Sequence, residues 1–139
     1  MECTIRWSGA GMSFIAETGS NHLIAMDGAP DGGGRNLAPR PMETVLAGAG
    51  GCTAYDVVVI LKKSGQDVTG CEVRLEAERA QTDPKVFTRI HYRFTVRGRN
   101  LKRNVVEQAV RLSHEKYCSA TAILEKTAQI TRDLEIVEG

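Results

Sequence analysis

Apolar and polar positions alternate in two stretches. Cys71, Val73, Leu75 and Ala77 interleave with Glu72, Arg74, Glu76 and Glu78, and Ile90, Tyr92, Phe94 and Val96 interleave with Arg89, His91, Arg93 and Arg97. Successive strand side chains point to opposite faces, so both stretches predict half-buried strands. Thr82-Asp83-Pro84-Lys85 supplies turn residues between them, which makes the pair an antiparallel hairpin. Acids on the outer face of one strand stand opposite bases on the other, predicting cross-strand pairs, a solvent-exposed His91 and no nucleic-acid surface. The same alternation puts Cys71 on the apolar face, where a thiol behaves as a small hydrophobe.

Upstream, Thr4 to Trp7, Met12 to Glu17 and His22 to Asp27 are short strand-like pieces punctuated by Gly9, Gly11 and Gly19-Ser20-Asn21, the pattern of a small antiparallel meander. Downstream, Leu101, Val105, Val106, Ala109, Val110 and Leu112 recur at helical spacing, with Lys102, Arg103, Glu107 and Arg111 on the other side. Ser113 is placed to cap a further helix from about His114 to Lys126. Ile130, Arg132, Leu134 and Ile136 then mark an edge strand near the end of the chain.

The least polar run, Thr44 to Leu61, holds one charge, Asp56. It is long enough to span a membrane, but Gly48, Gly50 and Gly51 interrupt it. The pattern instead predicts a helix from about Pro41 to Lys63, buried in a soluble protein and apolar on nearly all faces. Pro41 suits its first turn, Glu43 its positive end, and Lys62 and Lys63 its negative end. Ala47 and Gly51, four apart, predict the close approach of another helix. The preceding Asp27 to Pro39, rich in glycine and holding two prolines, reads as a mobile surface loop.

At 139 residues the chain predicts a single domain over residues 1–139, large enough to bury a core and gaining further burial by dimerising. Eighteen basic against 17 acidic residues give a net charge of +1, so no global field recruits nucleic acid or an anionic membrane. Met1 to Trp7 lacks a secretory pattern, and the expected location is cytoplasmic. Cys3, Cys52, Cys71 and Cys118 are then expected as thiols, any disulfide being transient.

Two of these cysteines sit where chemistry is expected. Cys118 falls early in its predicted helix beside His114 and Lys116, a setting that lowers a thiol pKa. Cys52 lies about three turns inside its helix, where burial silences a thiol unless a cation approaches; Arg35 and Arg40 are nearest along the chain. A zinc set of Cys52, Cys118 and His114 lacks the usual close-spaced Cys/His pair, so no metal and no cofactor are expected.

Three segments taken together, Pro41-Met42-Glu43-Thr44-Val45-Leu46, Gly50-Gly51-Cys52-Thr53-Ala54-Tyr55-Asp56-Val57-Val58 and Leu112-Ser113-His114-Glu115-Lys116-Tyr117-Cys118-Ser119, resemble the OsmC/Ohr family, most closely its YhfA-like branch. The resemblance runs in order along essentially the whole chain. It implies an α+β fold in which two chains intertwine as a homodimer around their long cysteine-bearing helices. It also implies a two-cysteine peroxidase: Cys52 attacks an organic or lipid hydroperoxide, Cys118 resolves the sulfenic acid to a disulfide, and a dithiol reductant resets the pair. Met42 stands where the hydroperoxide-resistance enzymes carry glutamate, and Ser8 to Ser13 offers no activating arginine. The alternative expectation is therefore a non-catalytic dimeric redox sensor or apolar-ligand binding protein.

Overall fold

Glycine punctuation near the N-terminus yields three short strands, β1 (Cys3–Trp7), β2 (Phe14–Thr18) and β3 (Leu23–Met26), paired antiparallel in that order. The computed structural model describes residues 1–139, which group into two compact units, Met1–Ala47 and Gly48–Gly139. In the first unit the surface loop expected after β3 is organised around a buried carboxylate. Asp27 is 1% exposed; its Oδ1 accepts from the N–H groups of Gly28 (2.7 Å) and Arg35 (3.4 Å), and its Oδ2 from that of Leu37 (3.2 Å). Gly34 packs so closely on Gly28 that a Cβ there would overlap its carbonyl.

The Gly28 N–H, helped by those of Leu37 and Arg35, holds the Asp27 carboxyl below its ordinary value of 3.8 despite burial. With the folded pKa below the unfolded one, this stabilisation is complete above the unfolded value and fades as pH falls through the lower folded value. Asp27→Asn is expected to speed amide exchange at 28, 35 and 37 at neutral pH and to remove the acid-dependent component of unfolding. Unchanged exchange in that variant would mean that the carboxylate does not order the segment.

The second unit is built on a sheet ordered β4-β5-β6, comprising β4 (Asp67–Arg79), β5 (Phe87–Arg99) and β6 (Gln129–Glu138). β4 and β5 form the predicted hairpin, whereas β6 runs parallel to β5. A parallel return needs a crossover, which α2 (Arg103–Leu112) and α3 (Ser119–Leu124) supply. Ile90, Tyr92, Phe94 and Val96 are buried, as their alternation predicts. On the outer face Arg93 pairs with Glu76 at 3.5 Å and Arg99 with Asp67 at 3.2 Å. His91 is half-buried instead of exposed: Nδ1 meets Thr131 Oγ1 at 2.7 Å and Nε2 meets Asp133 Oδ2 at 3.0 Å on β6.

α1 spans Pro41–Lys63, the bounds that its terminal residues predict. By length and composition it is one helix apolar enough to cross a membrane. It is not buried on nearly all faces within the chain. Ala49, Gly50, Thr53, Val57 and Leu61 form one covered stripe, and only 22% of its apolar window is buried. The glycines divide accordingly. A Cβ on Gly50 would stand 2.8 Å from Leu75 Cδ1, whereas Gly48 and Gly51 have nothing within 4 Å. The close partner in the chain is a strand, and the neighbouring helix predicted for Gly51 is absent from it.

Candidate functional site

The expected helix from His114 does not begin at Ser113. α2 continues into a π-helical turn, Ser113–Tyr117, closed by the Cys118 N–H bonding the Ser113 carbonyl at 2.7 Å. Such wide turns often coincide with functional positions. The chain then becomes extended at Cys118 (φ −74°, ψ 100°), which caps α3. The Cys118 Sγ accepts from the Thr121 N–H at 3.4 Å and the Thr121 hydroxyl at 3.1 Å. Tyr92 Oη lies 3.1 Å from the same hydroxyl. Since the Thr121 proton is directed to sulfur, Tyr92 donates to Thr121, and a buried chain of donors ends at the thiol.

Ser113, freed from capping, faces α1. Its hydroxyl donates to Asp56 Oδ2 at 3.1 Å and lies 2.7 Å from Thr53 Oγ1. Asp56 stands four residues after Cys52, so both side chains leave the same side of α1. The Cys52 and Cys118 sulfurs and a carboxylate oxygen of Asp56 all lie within 4.8 Å of one another. The fold thus brings together the two cysteines predicted to meet and adds Asp56, Ser113, Thr53, Thr121 and Tyr92. The isolated charge of Asp56 within an apolar helix is the signal in the sequence that marks it.

Cys118 is 2% exposed, and burial pushes its thiol above the ordinary value of 9.0. The two Thr121 hydrogen bonds oppose the rise, and the adjacent Cys52 adds to it. This corrects the expectation of a lowered pKa. α3 is too short to compensate, and the cations expected nearby are otherwise engaged. Arg132 approaches His114 Nδ1 at 2.6 Å while His114 Nε2 lies 3.3 Å from Glu125, and the Lys116 ammonium sits over the Tyr117 ring at 5.2 Å. Within the first unit Arg40 pairs with Glu43 at 3.4 Å, and the Arg35 guanidinium lies beside Gly11. The other two thiols stand apart from this chemistry: Cys3 is exposed, and burial raises the Cys71 pKa.

A groove of about 340 Å³ opens beside the cluster, with Val59, Ile60, Leu112 and Tyr117 as apolar walls and Asp56 on its lining. It is large enough for a small organic molecule.

Residues 32–132 match the family model described as OsmC-like protein. Protein YhfA of Escherichia coli K12 is 48% identical over 137 residues, 99% of this chain and 98% of the relative. The solved structure of a hypothetical protein from Aquifex aeolicus VF5 is 28% identical with a TM-score of 0.85, covering 99% of this chain and 96% of that one. The fold is also that of an organic hydroperoxide resistance protein OsmC from Legionella pneumophila, at TM-score 0.69, 15% identity and 97% coverage of both chains. With the family model covering most of the chain and a relative nearly half identical along its length, the chain belongs to the OsmC-like protein family.

Proposed function

We propose that this protein reduces organic hydroperoxides by a two-cysteine mechanism in oxidative-stress defence, acting as a cytoplasmic homodimer. The observation that carries the reading is the approach of the Cys52 and Cys118 sulfurs to within 4.8 Å, from which a small side-chain movement reaches bonding distance. Cys52 is the more accessible of the two, which suits the thiol that meets substrate. Its thiolate attacks the hydroperoxide O–O bond, leaving Cys52–SOH; the alkoxide departs and takes a proton to become alcohol. The Cys118 sulfur then displaces hydroxide, released as water, and the Cys52–Cys118 disulfide forms. A dithiol reductant restores both thiols by exchange. The apolar groove favours organic or lipid hydroperoxides over hydrogen peroxide.

A second reading, a slow redox sensor or apolar-ligand protein of the same fold, draws support from the raised Cys118 pKa and from the absence of a cation among the groups acting on that thiol. The experiment that separates them is mass spectrometry of the reduced protein after one equivalent of cumene hydroperoxide. Rapid, stoichiometric linkage of Cys52 to Cys118, slower with hydrogen peroxide, is the expected result. Persistent thiols, or sulfonic acid without a disulfide, would rule out the two-cysteine peroxidase.

A further inference from the structure

We propose that Cys52, Asp56 and Cys118 form, in the reduced protein, a binding site for a thiophilic divalent cation of the zinc class. Their three ligand atoms already lie within 4.8 Å of one another. Two come from one helix at a spacing of four, the arrangement by which a single turn of helix presents two ligands on one side. The third comes from the extended residue that caps α3. Metal–sulfur bonds of about 2.3 Å and metal–oxygen bonds of about 2.0–2.2 Å place tetrahedral ligands roughly 3.5–3.8 Å apart. Converging on an ion therefore asks for shifts on the order of an ångström.

The donor set selects the ion. Two thiolates and a carboxylate suit zinc and its soft or borderline neighbours, whereas calcium and magnesium are held through oxygen. Three protein donors leave a fourth tetrahedral position for water or an added ligand. The carboxylate is held in place by the Ser113 hydroxyl, itself bonded to Thr53, as the outer partner of a metal ligand must be. Asp56 joins none of the chain's ion pairs, so no arginine, lysine or histidine is paired with the carboxylate that an ion would share with the two sulfurs. His114, the ligand that the sequence offers alongside the cysteines, is taken up by Arg132 and Glu125.

On binding, each thiol loses its proton to solvent and two metal–sulfur bonds form. Oxidation by an organic hydroperoxide would remove two electrons from the sulfurs, join them as a disulfide and expel the ion, the peroxide taking up two protons from solvent to become alcohol and water. Ion binding stands on the three donors alone; this release step rests on the proposed peroxidase function.

The test is a titration of chelator-stripped, reduced full-length protein with Zn²⁺ against a chromophoric competitor, with Co²⁺ as a spectroscopic substitute. The expected result is one ion per chain and a thiolate-to-cobalt charge-transfer band, lost in Cys52→Ser and in Cys118→Ser. Asp56→Asn, nearly isosteric, is expected to bind at least roughly 10-fold more weakly. Circular dichroism checks that each variant is folded. In the parent protein, Zn²⁺ should shield Cys52 and Cys118 from alkylation while exposed Cys3 still reacts. No retained ion, or affinity unchanged in Asp56→Asn or in both cysteine variants, would overturn the site. No peroxide enters this titration, so zinc binding without a hydroperoxide-induced disulfide would defeat the peroxidase reading alone, and the converse would defeat the metal site alone.

Discussion

Cys52→Ser is expected to consume no organic hydroperoxide above the uncatalysed background, while Cys118→Ser performs one turnover and then stalls. The asymmetry follows from the chemistry assigned to each sulfur. A serine hydroxyl is scarcely ionised at neutral pH and is a weak nucleophile, so without the Cys52 thiolate the O–O bond is not attacked. Without Cys118, attack still proceeds, but Cys52–SOH has lost the thiol that lay within 4.8 Å and with which it would condense. It then persists long enough for further peroxide to carry it to sulfinic and sulfonic acid. A sulfenic-acid trap read by mass spectrometry should label Cys52 in Cys118→Ser and nothing in Cys52→Ser. Labelling of Cys118 in Cys52→Ser, with turnover retained, would reverse the roles. Burial argues for the assignment given, because a sulfur 2% exposed with a raised pKa is poorly placed to meet a substrate first.

The parts of this site legible in the sequence are those set by local periodicity. The β4–β5 hairpin follows from alternation, and the ends of α1 follow from Pro41 and Lys62-Lys63, because both signals lie within a few residues of what they specify. The break at Cys118 is different. Ser113, His114, Glu115, Lys116 and Tyr117 are all compatible with a continuous helix, and nothing local announces the π turn. That turn delivers the Ser113 hydroxyl to Asp56, 57 positions away in the chain, and leaves Cys118 to cap α3. The raised Cys118 pKa is illegible in the sequence for the same reason: capping position and flanking cations are visible there, while near-complete burial and the diversion of His114 to Arg132 and Glu125 arise only from tertiary packing. Asp56 lies between these cases. An isolated acid one turn from a cysteine in an otherwise uncharged helix is conspicuous, but its function depends on what the fold sets opposite it.

If the proposed homodimer joins two α1 helices, Gly51→Leu is expected to convert it into monomer in sedimentation experiments, and Gly51→Ala decides whether the helices meet there. Gly48, Gly51 and Tyr55 share one side of α1 at spacings of three and four, well separated from the stripe that ends at Leu61. Tyr55 is 71% exposed, and a Cβ on Gly48 or Gly51 would meet nothing within 4 Å of the same chain. A helix that is apolar nearly all round but covered on one stripe leaves surface that water solvates poorly. If the chain acts alone, replacing glycine by alanine within an exposed helix should stabilise it by about 0.5–1 kcal/mol, through the lost backbone freedom of glycine in the unfolded state. If two copies bring this face together, the added methyl intrudes where backbones approach, and the sign reverses. Denaturant unfolding should therefore show a stability that rises with protein concentration in the parent, and in Gly51→Ala a lower stability with a weaker rise. A concentration-independent gain in stability would place Gly51 outside any interface, because nothing within the chain requires glycine at that position.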